Sequence, residues 1–162
     1  SLDYLAHARE RLAAGAARAG RSLADIEVIV FFRCSIVTDY AVVRDRYQRE
    51  LLTYVLAPVY QKMFARDGFG PMCTEVERLW KAGERDSALA AVTDTFTRGR
   101  LLAGTTTEIG ASLDRYFEAG MDSAIIMPIP TPGDDYAEAW TGIVRDLGAW
   151  ISARAPLAEA AR

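Results

Sequence analysis

Arg33 stands inside the run Ile26-Glu27-Val28-Ile29-Val30-Phe31-Phe32-Arg33-Cys34-Ser35-Ile36-Val37, and a guanidinium in so apolar a stretch must either reach solvent or pair with an anion. A nearby Asp or Glu can serve, and so can a cofactor phosphate or a substrate anion. The stretch Gly104-Thr105-Thr106-Thr107-Glu108 has a second chemistry, because free amides at a helix start attract anions, although S/T-x-x-E spacing equally describes a capping box. A third candidate is Pro128-Ile129-Pro130-Thr131-Pro132-Gly133, followed by Asp134 and Asp135; here Pro130, Thr131 and Gly133 are the expected ligand contacts. The two acids at the following helix start favour capping and work against a phosphate bound there. His7, the only histidine, has no Ser, Cys or carboxylate at triad-like spacing, so it reads as a helical surface residue before it reads as a general base. Cys34 and Cys73 lack CxxC spacing and read as inert thiols, with neither a zinc site nor a disulfide framework indicated. No residue is assigned a catalytic role.

The elements that must position these residues follow from periodicity. Leu5, Ala8, Leu12 and Ala16 mark an amphipathic helix that Gly20 ends, within residues 1–25. Residues 26–37 are rich in β-branched and aromatic side chains and predict a strand buried on both faces, as parallel strands are. Residues 38–103 then read as helical throughout, with breaks at Pro58, at Asp67-Gly68-Phe69-Gly70-Pro71 and at Gly83. That is about sixty residues without a strand, far longer than an ordinary crossover. Residues 104–153 predict a helix with a Thr105–Glu108 cap, a strand at 124–129, and a last helix carrying Trp140, Ile143, Val144, Leu147, Trp150 and Ile151, with the two Trp in core or interface. The tail, 154–162, is expected to fray.

This closing helix, strand and helix looks like the end of a (β/α) barrel, yet the chain offers only two convincing strands and a barrel needs eight. In such a barrel the loop at 128–135 follows a strand and lies on the chemical face, whereas Gly104 to Thr107, ahead of a helix leading into a strand, is expected at the opposite face.

Composition narrows the function classes. With 162 residues, 51% hydrophobic and 25% charged, the chain reads as one ordinary globular domain. A net charge of -3 with scattered Arg residues gives no basic footprint, so no nucleic-acid partner is expected. The longest apolar run is too short to span a bilayer, so no membrane partner is expected and cytoplasmic residence is the default. The start at Ser1, inside a helical pattern and without an initiating Met, implies a reading frame that begins upstream.

The order of features now resembles a family. The strand, Thr38-Asp39, Tyr54, Tyr60, Gly68-Phe69, Leu79-Trp80-Lys81-Ala82-Gly83-Glu84-Arg85-Asp86-Ser87-Ala88, Val92-Thr93-Asp94, Gly104-Thr105-Thr106-Thr107-Glu108 and Ala119-Gly120-Met121-Asp122 together resemble the C-terminal part of luciferase-like flavin monooxygenases. Within that superfamily the pattern looks closest to the deazaflavin-dependent reductases of the methylene-tetrahydromethanopterin type. The resemblance implies the fold class α/β, as the C-terminal portion of a (β/α)8 TIM barrel: strands 7 and 8 with a long helical insertion, predominantly helical in this stretch. It implies hydride transfer between coenzyme F420 or FMN and a small organic substrate, with the ligand at the carboxyl ends of the strands. Most of the pocket would lie on strands outside this chain, so the chain is expected to be inactive alone. Arg33 and the loop with Pro130, Thr131 and Gly133 are the expected cofactor contacts, and no metal is expected. Exposed sheet edges imply association, either as a homo-oligomer or with the missing barrel half. A non-catalytic assembly module and an independent small-molecule-binding α/β domain are the rival readings.

Overall fold

The computed structural model describes residues 1–159, with side chains through residue 153. The elements in chain order are α1 (Leu2–Arg18), a 3-10 turn (Leu23–Asp25), β1 (Ile29–Ile36), α2 (Ala41–Val55), α3 (Pro58–Arg66), α4 (Gly70–Lys81), α5 (Arg85–Ala90), α6 (Asp94–Arg98), β2 (Leu101–Gly104), α7 (Thr106–Glu118), β3 (Ser123–Pro128) and α8 (Tyr136–Glu159). The last helix passes the expected boundary at 153, and the end of the tail, 160–162, lies outside the described residues. The chain is α/β and mostly helical, with a three-stranded parallel sheet in the order β2-β1-β3. It is not a complete barrel. Two compact units are present: a sheet unit of residues 1–39 and 102 onward, and a helical unit of residues 40–101.

In the sheet unit, β1 and β3 run parallel with Phe31 opposite Ile125 and Arg33 opposite Met127. Asp122 sets that register, because its Oδ2 accepts from Val28 N–H at 2.8 Å while its own N–H donates to Val28 O at 2.9 Å. A slip of one residue would turn every side chain to the other face and break both bonds. On one face Phe32 and Cys34, with Val30, Ile36, Ala124 and Ile126, pack against Ile109 and Leu113 of α7, Ile143 and Leu147 of α8 and Leu5 of α1. Phe32 meets Tyr116 edge to face, with ring centroids 4.7 Å apart.

The other face differs from the expectation of a strand buried on both sides. Ile29, Phe31 and Ile125 are 50%, 53% and 51% exposed. Strand alternation explains the split, since helices cover only the face shared by Phe32 and Cys34. Each apolar side chain left in water forgoes up to about 1.5–3 kcal/mol of burial.

The strand count is also corrected, from two to three. Leu101 to Ala103 lie within the stretch expected to be helical, yet Leu101–Gly104 forms β2, and Val37 N–H, just beyond β1, donates to Gly104 O at 2.9 Å. Leu-Leu-Ala-Gly carries no β-branched or aromatic residue, so it has little intrinsic strand signal; pairing with a distant strand makes it one. Gly104 is held at φ 153, and a Cβ there would stand 2.8 Å from Glu108 Oε2. That backbone conformation favours glycine at this turn, since residues with a Cβ rarely adopt it, whereas the Glu108 carboxylate is a flexible chain end that can give way.

The helical unit has its own core of Val43, Val55, Phe64, Val76, Val92 and Phe96. Arg100 lies within it, its guanidinium 4.0 Å from the Phe96 ring centroid and 4.9 Å from those of Phe64 and Phe69, and paired with Asp67 at 2.7 Å. Gln48 Nε2 donates to the carbonyls of Leu89 and Val92, tying α2 to the end of α5. Pro58 sits in the first turn of α3, where its missing N–H costs nothing, and so separates α3 from α2.

Candidate functional site at the carboxyl ends of the strands

Parallel strands bring their carboxyl ends to one edge, and in α/β proteins ligands collect outside that edge. Here the edge is formed by Ser35 to Val37 at the end of β1, Gly104 and Thr105 at the end of β2, and the loop 128–135 at the end of β3. Ile129 N–H donates to Cys34 O at 2.7 Å, and Ser35 Oγ donates to Ile129 O. Pro128, Ile129 and Pro130 are fully buried, so the root of the loop is packed while its tip is exposed from Pro132 onward.

Gly104 to Thr107 is not at the opposite face. Because Leu101–Gly104 is a strand beside β1, Thr105 follows a strand carboxyl end and shares the edge with the 128–135 loop. The amides of Thr105 and Glu108 are already engaged. Glu108 Oε2 accepts from Thr105 N–H at 2.8 Å and from Thr105 Oγ1 at 2.9 Å, while Thr105 Oγ1 accepts from Glu108 N–H at 3.3 Å. These bonds from Thr105, backbone first and hydroxyl second, hold the Glu108 carboxyl below its ordinary range. The stretch caps α7 and supplies its own anion.

The 128–135 loop behaves similarly at its tip. Thr131 Oγ1 donates to Asp134, whose N–H returns to Thr131 O at 3.1 Å. Asp135 and Glu138 form a reciprocal cap on α8, with Glu138 N–H donating to Asp135 Oδ1 at 2.9 Å and Asp135 N–H donating to Glu138 Oε2 at 3.0 Å. Gly133 adopts φ 99, a backbone conformation that residues with a Cβ rarely take, with open space around it.

Arg33 lies on the open sheet face. Its Nη1 donates to Met127 Sδ, and its guanidinium stands 5.3 Å from the Phe31 ring centroid. Arg33 and the loop residues thus belong to one strand pair, Arg33 on the face and Thr131 and Gly133 beyond the edge. His7 is exposed on α1. Burial pushes the Cys34 thiol up to about 12 and raises that of Cys73 as well, so neither carries thiolate at neutral pH. In the helical unit burial, then the Asp94 carboxylate, push the Tyr40 hydroxyl up to about 12. Among the described residues no group of three or more His, Cys, Asp or Glu side chains is placed to hold a metal ion, and no helix is long and apolar enough to cross a membrane.

Ser35 is the residue that sequence reasoning passed over. A small hydroxyl at the end of an apolar run was the available signal, but its role depends on Ile129, 94 residues away in the chain.

A search of curated proteins returns no match. The family model described as luciferase-like monooxygenase matches residues 1–123, which takes in α1, all of β1, the helical unit, β2 and α7. With three quarters of its length matched in this way, the chain belongs to the luciferase-like monooxygenase family, a family of oxidoreductases that use flavin-type cofactors.

Proposed function

We propose that this chain is the C-terminal part of an F420- or FMN-dependent oxidoreductase, with β1 and β3 serving as strands 7 and 8 of a (β/α)8 barrel and β2 as a short added strand. The observation that carries the reading is the exposed face of the β1–β3 pair, where Ile29, Phe31 and Ile125 lead toward Arg33 and Met127 at the carboxyl end. Inward layers of a parallel barrel have this composition, apolar within and polar toward the chemical face.

The residues fit a flavin-type group in part. Phe31, Ile125 and Met127 offer apolar surface to a planar ring, and Arg33 brings positive charge to its edge. The acids Asp134, Asp135 and Glu138 make the loop unsuited to a phosphate. Thr131 and Gly133 would meet the ligand at the loop tip, and Pro130, buried, would contribute through its backbone and by shaping the loop. The cofactor supplies hydride transfer to or from a small organic substrate. These residues would orient the reacting ring and exclude water from it; the chain alone is expected to be inactive.

Titrating the chain and a longer protein containing it with FMN and with F420, followed by absorbance and fluorescence, tests the reading. Binding of neither by the longer protein would sink it. The exposed sheet face also favours a second reading, a non-catalytic module that associates with itself or with further barrel strands. Light scattering across a concentration series separates the two: reversible self-association without cofactor binding favours the module.

A further inference from the structure

Ser35 is 2% exposed at the carboxyl end of β1, and strand alternation turns it to the same side as Phe31 and Arg33. Its hydroxyl donates to the carbonyl of Ile129, a residue itself 1% exposed, while the Ile129 amide donates to Cys34 O at 2.7 Å. The chain therefore remains tied to β1 past the end of β3. Pro128 and Pro130 flank the tie, and neither has an N–H, so Ile129 carries the only backbone donor of that root. Beyond it, the Thr131–Asp134 turn and Gly133 form the tip.

We propose that Ser35 is a positioning residue, whose hydroxyl fixes the root of the 128–135 loop and thereby the direction in which Thr131 and Gly133 are offered to a flavin-type ligand. This rests on the reading of that loop as a ligand loop. Without the hydroxyl, the Ile129 carbonyl is left without this donor in a place closed to water, and the root must shift to hydrate it.

The test compares the chain with Ser35→Ala and Ser35→Thr by hydrogen exchange, alongside titration of a longer protein containing the chain, with the same substitutions, against FMN and F420. Ser35→Ala should speed exchange within residues 128–135 by about five- to tenfold and leave residues 29–34 unchanged. It should weaken binding of whichever cofactor the longer wild-type protein binds by a similar factor, and Ser35→Thr should restore both. Unchanged loop exchange, a rise shared by the whole sheet, or a loosened loop with unchanged affinity would each overturn the proposal. If the longer wild-type protein binds neither cofactor, the cofactor reading fails separately, and the exchange comparison alone decides whether Ser35 holds the loop.

Discussion

Glu108 illustrates how a side chain that looks like part of an anion site can instead occupy it. The Thr105 bonds hold its carboxyl below the ordinary range, so the stability it contributes is complete above the unfolded value of 4.5 and is lost as pH falls through the lower folded value. Thermal unfolding of wild type and Glu108→Gln should therefore differ at neutral pH and converge on acidification; a constant difference would exclude the linkage. Thr105→Ala, which removes the cap acceptor itself, should cost about 0.5–2 kcal/mol. The thiols make a simpler prediction. With Cys34 pushed up to about 12 and Cys73 raised by burial, neither should react with a disulfide reagent until the fold opens, and rapid labelling of native protein would contradict that. The roles of Thr105 and Glu108 were legible from spacing alone, because capping is a contact across three residues. Ser35 was not, since nothing local marks the carbonyl it serves.

At the scale of elements, the packing of α7 on α8 depends on Gly110. A Cβ at that position would overlap the Trp150 indole, so the two helices meet where one has no side chain. Gly110→Ala should push α8 outward, costing about 1–3 kcal/mol, and should red-shift tryptophan emission as Trp150 is displaced. An unchanged melting temperature would show that the indole has room to move. In the helical unit, Asp67→Asn should cost about 2 kcal/mol, because the Arg100 guanidinium would keep its three aromatic neighbours but lose its ion partner. Chemical denaturation followed by far-ultraviolet circular dichroism measures this. Long helices with strong periodicity were readable in advance, as was β1. The short β2 escaped because its four residues have no strand preference of their own.

For the molecule as a whole, the decisive feature is a sheet covered on one side. The apolar residues of β1 that pack, Phe32 and Cys34, and those that do not, Ile29 and Phe31, alternate along one short segment, so composition could not tell them apart. Phe31→Glu should leave the packed face intact and reduce any self-association seen by light scattering; a large loss of thermal stability would show instead that Phe31 is buried in the folded chain. By itself the sequence determined what short-range rules govern: helix starts and stops, the capping box, the strand character of β1 and β3, and the ordered pattern by which the chain resembles its family. Only the tertiary structure decided which face of the sheet is open, that residues 101–104 are a strand, that Thr105 lies at the same edge as the 128–135 loop, and that Ser35 holds the root of that loop. Each of those depends on contacts between residues distant in the chain, and local preference is blind to them because their energy exists only once both partners are in place.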